Sequence, residues 1–168
     1  RRSNELSDAE DDLDDAREMP RAAGTGDVLV VEADITDPDQ VAAFVAEAAD
    51  RFDGLDHVVT NAGGPTSGPF PDTSDRDWYR AYDLLVLSAV WTMREAYPHR
   101  RTSTAGSITA ITSRTVREVL DDLVLSNAIR RAVVGLVKTV SREFAPAVRT
   151  NAVLPGPHET SRIRDLVE

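Results

Sequence analysis

Four short apolar runs, each closed by small or turn-forming residues, alternate along the chain with long amphipathic stretches. The runs are residues 28–33 (Val-Leu-Val-Val-Glu-Ala), 55–60, 106–113 and 149–154. Short runs of this kind, bounded by turn signals, read as strands buried in a sheet. Helical patterns lie between them, over residues 38–52, 74–97 and 123–144. Parallel neighbours need a long crossover, usually a helix, whereas antiparallel ones need only a tight turn. The alternation therefore predicts an α/β fold, a doubly wound parallel sheet of four strands with helices on both faces.

Local signals set the boundaries. Asp37 is placed to cap the first of these helices, with Pro38 at its first position, and Val41, Phe44, Val45 and Ala48 share one face. Asp53-Gly54 ends it, and Ser74 is the expected N-cap of the next, which stops near Pro98. That second helix carries Leu84, Leu85, Leu87, Val90 and Met93 around much of its circumference, which predicts burial on more than one side. Asp121-Asp122 reads as an acidic helix start that favours the dipole. Residues 3–17 read as a polar surface helix, and residues 19–26 and 66–73 as loops. Residues 161–168 carry no pattern.

Composition excludes several classes. The 168 residues suit one domain with its own core. There is no cysteine, hence no disulfide scaffold or thiolate metal site, and no other group has metal spacing. A net charge of −10 argues against nucleic-acid binding. No apolar run is long enough for a membrane span, and no leader pattern is seen, so the expected location is cytoplasmic. Carboxylates are mostly Asp, and Lys138 is the single lysine among 19 basic residues, which suggests an acidic, salt-adapted (halophilic) source.

In open parallel sheets, ligands bind beyond the carboxyl ends of the strands. Here those ends are Asp34, Asn61-Ala62-Gly63-Gly64, Thr112-Ser113 and Pro155-Gly156, all small, polar or turn-forming. The set resembles the short-chain dehydrogenase/reductase family. Ala33-Asp34-Ile35-Thr36-Asp37 resembles that family's adenine-contacting segment, and Asn61-Ala62-Gly63 its Asn-Ala-Gly turn. Residues 106–113 resemble the strand that ends in the catalytic serine, here Ser113. Asn151-Ala-Val-Leu-Pro155-Gly156, with Thr160 beyond, resembles the segment beside the nicotinamide. The resemblance implies a Rossmann-like fold, NADP or NAD as cofactor, and a small carbonyl or alcohol substrate, with 3-oxoacyl thioesters among the candidates. It also implies a homodimer or homotetramer through the two long helices.

Three positions depart from the family. Its catalytic tyrosine and lysine fall on Ser126 and Arg130, and its helical asparagine on Leu85. Ser126 and Arg130 still share a helix face. A serine hydroxyl is a far weaker acid than a tyrosine, whose pKa is about 10, so proton donation is weakened. Arg130 keeps the charge and could hold ribose hydroxyls, but it cannot release a proton. The competing reading is therefore a catalytically impaired nucleotide-binding or scaffolding relative, or an inactive fragment. His158 is the first substitute acid to weigh; Tyr79 and Tyr82 read as packing residues, and His57 and His99 as structural or exposed.

The family's Gly-x-x-x-Gly-x-Gly phosphate loop has no counterpart here. Arg2 resembles the basic residue that selects the 2′-phosphate of NADP, which slightly favours that cofactor. The chain thus reads as an incomplete domain holding the family's strands 3 to 6, from a whole of about 250 residues. Alone, it is expected to be unstable or unable to bind dinucleotide, because its first strand lacks native neighbours.

Overall fold

In the computed structural model, residues 26–100 and 106–156 are described. The chain divides into two units, Arg1–Asp34 and Ile35–Glu168. In the first, residues 26–34 form no strand, which corrects the expected strand at 28–33. The apolar run is present, but a strand exists only through ladder bonds to a neighbour, and none of the described strands pairs with it.

The second unit opens with helix α1, Pro38–Phe52. The Asp37 carboxylate accepts from the backbone N–H of Asp39 and Gln40, and Pro38 occupies the first turn, as the sequence predicts. Asp53 ends it in the left-handed region at φ 57°, followed by Gly54 at φ 107°. Strand β1 is His57–Thr60. Helix α2, Asp75–Tyr82, starts with a full capping box: Ser74 and Asp77 each accept from the other's backbone N–H.

The single long helix expected over 74–97 is interrupted. A π turn at Asp83–Leu87 separates α2 from α3, Ser88–Ala96, and a 3₁₀ turn, Tyr97–His99, carries Pro98. Strand β2, Gly106–Ile111, leads through the 3₁₀ turn Arg114–Val116 to helix α4, Val124–Glu143. Strand β3, Val148–Val153, follows. Asp121-Asp122 is a turn rather than the first turn of α4, with Asp122 at φ 57°.

The three strands form one parallel sheet in the order β1-β2-β3. Val58 pairs with Ile108, and Ala110 with Ala152. The main core sets Leu85, Ala89, Met93, Leu125, Ile129 and Val133 against Ile108, Ala110 and Val148. A second cluster packs Val41 and Val45 of α1 against Ala96. The opposite sheet face carries His57, Arg149 and Asn151, all exposed, with Val59 63% exposed and Val153 45% exposed. Among the described residues, the helices therefore cover one face of the expected two. Tyr79 and Tyr82 are also exposed, at 73% and 45%, rather than packed as expected. They lie on the side of α2 away from buried Ala81.

Candidate active site

A parallel sheet sends all its chain crossings off one edge, so the turns after β1, β2 and β3 gather at its carboxyl end. Two further bonds extend the β2–β3 register past the strands. Thr112 donates from its N–H to Val153 O at 2.8 Å, and Arg114 N–H reaches Pro155 O at 3.2 Å. They hold the Ser113 turn beside the Pro155-Gly156 turn.

Ser113 is half-buried, and its Oγ accepts from Thr115 N–H at 3.2 Å. Ser126, on the first turn of α4, is 7% exposed. Its Oγ lies 3.2 Å from Thr115 Oγ1 and accepts from Arg130 Nε at 3.2 Å. The i,i+4 spacing places Ser126 and Arg130 on one face, as expected. Arg130 is 8% exposed. Its guanidinium also donates to Thr112 O at 3.3 Å and to Gly63 O at 3.2 Å.

Loop 117–123 is tied to the same helix. Asn127 Oδ1 accepts from Leu120 N–H at 3.2 Å, and Asn127 Nδ2 donates to Leu120 O at 2.8 Å. A parallel bridge between Gly68 and Leu123 sets the loop after β1 beside the loop after β2.

The structure thus brings together Asn61, Ala62, Gly63, Ser113, Ser126, Arg130, Pro155 and Gly156. A Cβ added at Gly63 or Gly156 would meet no atom within 4 Å, so neither turn is packed against a described neighbour at that point. Leu85 is buried in the core, inside the π turn, where it offers no polar atom. Ile35 packs against the Val41–Val45–Ala96 cluster. Asp34, exposed, belongs to the first unit. Arg2, His158 and Thr160 lie outside the described residues. His57 Nδ1 sits 2.9 Å from Ser107 Oγ at the amino end of β1, opposite the carboxyl ends that gather the site, and His99 is exposed.

Thr115 is the residue that reading the sequence missed. It is 1% exposed and bridges Ser113 to Ser126. The available signal was its place two residues beyond the strand-ending serine, where a 3₁₀ turn folds it inward.

A parallel sheet with helical crossovers, its turns gathered at the carboxyl end of the strands, defines a Rossmann-like α/β protein. Residues 5–167 match the family described as enoyl-(acyl carrier protein) reductase. The chain belongs to the short-chain dehydrogenase/reductase family.

Among relatives, 11-beta-hydroxysteroid dehydrogenase-like 2 of Arabidopsis thaliana is 30% identical over 147 residues, covering 87% of this chain and 47% of the relative. The chain thus spans about half the length of that relative. The solved short-chain dehydrogenase/reductase from Serratia marcescens superposes with a TM-score of 0.82 at 29% identity, covering 89% of this chain and 62% of that one. The structure of ElxO with NADP bound gives 0.74 at 28% identity, covering 82% and 56%.

Proposed function

We propose that the protein carrying this chain is an NAD(P)-dependent oxidoreductase acting on a carbonyl or hydroxyl group, with NADP the slightly favoured cofactor and 3-oxoacyl thioesters candidate substrates. The observation that carries this reading is the convergence of Ser113, Ser126 and Arg130 with the Gly63 and Pro155-Gly156 turns at the carboxyl end of the sheet. The match to the family described as enoyl-(acyl carrier protein) reductase supports a thioester-linked acyl chain as substrate, and the likeness to ElxO with NADP bound supports the cofactor.

The turns Asn61–Ala62–Gly63 and Pro155–Gly156 would hold the cofactor, with Asp34, Ile35, Arg2 and Thr160 assigned to it by resemblance. When bound, the nicotinamide supplies or accepts a hydride. Ser113 Oγ polarises the substrate oxygen, since its hydroxyl hydrogen is left to donate while the oxygen accepts from Thr115 N–H. Ser126 occupies the acid's place. Its oxygen takes the Arg130 Nε–H, so positive charge lies against it. A serine remains a weak acid even so, and a missing general acid costs roughly 10²–10⁴-fold in rate. Turnover is therefore slow rather than absent.

The burial of Ser126 and Arg130 in bonds to each other favours one second reading, a nucleotide-binding relative without turnover. The experiment measures NADPH binding by fluorescence on the whole protein, then NADPH oxidation with ketones and acyl thioesters. It is repeated with Ser126→Tyr plus Arg130→Lys. Slow wild-type turnover that the double change accelerates at saturating NADPH is the expected result. Binding without any turnover selects the second reading, and no binding removes both.

A further inference from the structure

We propose that Arg130 is a positioning residue, a buried latch that fixes the turns after β1 and β2 to α4. It donates to three separate segments: to Gly63 O after β1, to Thr112 O after β2, and to Ser126 Oγ on its own helix. Thr115 closes the circuit. Its hydroxyl meets Ser126 Oγ at 3.2 Å while its N–H holds Ser113 Oγ, the residue next to Thr112. The path Arg130–Thr112–Ser113–Thr115–Ser126–Arg130 therefore returns on itself, and a side chain within it cannot turn without breaking a neighbour's bond.

The residue type fits this role. A guanidinium presents five N–H groups in a rigid planar fork, which suits acceptors arrayed around its edge. A lysine in the same place is a single compact point of charge and cannot reach backbone oxygens on two strands and a hydroxyl together. Burial adds to the effect, because hydrogen bonds gain strength where water is excluded. Two of its donors are thus taken by backbone carbonyls of the turns, so Arg130 acts on a ligand at least in part through the turns it holds.

The test is amide hydrogen exchange, read by peptide on the whole protein, for wild type, Arg130→Lys, Arg130→Met and Thr115→Val. Arg130→Lys and Arg130→Met are expected to raise exchange over residues 61–68 and 112–118 by about tenfold or more, the effect of losing a charge-assisted bond. Thr115→Val raises it over 112–118 alone, and α1 keeps its wild-type rates in every variant. Unchanged exchange at the two turns overturns the latch, as does a rise spread evenly over the chain. Thr115→Val, which is close in size to the native side chain, reads the circuit even where Arg130→Met does not fold.

NADPH affinity, measured on the same samples, carries the part that rests on the proposed function. A roughly tenfold loss in Arg130→Lys, measured well below that variant's own melting temperature, is expected if the turns are positioned for nucleotide. A wild type that binds no NADPH removes the nucleotide reading, while the exchange pattern still decides the latch.

Discussion

Asn127 offers the most direct test of how the site's outer loop is held. Its side-chain amide spans both polar groups of one residue, accepting from Leu120 N–H at 3.2 Å and donating to Leu120 O at 2.8 Å. Asn127 is 9% exposed, so water replaces little of what is removed. Asn127→Ala deletes two hydrogen bonds, each worth about 0.5–1.5 kcal/mol net, so the expected loss is about 1–3 kcal/mol. For a chain of this size each kcal/mol moves the melting midpoint by about 2–4 °C. Calorimetry and urea unfolding of the whole protein should agree on a drop within that window.

Asn127→Asp separates the two bonds. The carboxylate still accepts from Leu120 N–H but sets a negative oxygen against the Leu120 carbonyl. Protonation restores the donor, so the native state holds this carboxyl above its ordinary value of about 3.9. A raised native pKa means the cost is small below the unfolded value and grows as pH rises toward the native one. Asn127→Asp should therefore approach wild-type stability at acid pH and fall behind it near neutrality. An Asn127→Ala variant within about 0.5 kcal/mol of wild type would refute the reasoning, since that is the ordinary scatter of surface substitutions.

Other perturbations have equally definite outcomes. Leu125 is 0% exposed, so Leu125→Ala should cost about 2–5 kcal/mol through lost burial and a residual cavity, read from the urea midpoint. Hydrogen bonds from Gln40 hold the Asp37 carboxyl below its usual range, and hydrogen bonds from Ser74 do the same for Asp77. Lowered native values mean that both caps contribute fully above the unfolded pKa and are lost as pH falls through the native one. Melting temperature followed from neutrality downward should thus drop less steeply in Asp77→Asn than in wild type. An unchanged slope would show that ionisation of Asp77 contributes nothing to the capping box.

What was legible in the sequence was what neighbouring residues decide between themselves. Asp37-Pro38 starts α1, Ser74 starts α2, and Asn61-Ala62-Gly63 closes β1, because caps and turns are written within four residues. The helix-face pairing of Ser126 with Arg130 follows from spacing alone, and the structure keeps it. Partnership across the fold was not legible. Residues 28–33 have the composition of a strand, yet a ladder needs a second chain segment. The backbone acceptors of Arg130 lie 67 and 18 residues away in sequence, so no local pattern announces that two of its donors hold the turns. Thr115 was invisible for the same reason, since its significance lies in meeting Ser126, 11 residues on.

The π turn at Asp83–Leu87 explains why the apolar residues of the long helix seemed to surround it. A π turn accommodates one extra residue, and one residue advances a helix by about 100°. Helices α2 and α3 are therefore two segments of one rod read in different phases, each with its own inward stripe. Removing one residue between Asp83 and Leu87 would leave a regular α-helix with both stripes in one phase, so that Ala81, which is 2% exposed, stays inside. The segment thus takes up the one residue by which the two stripes differ. A further residue inserted there, by contrast, would turn Tyr82 toward the position of Ala81.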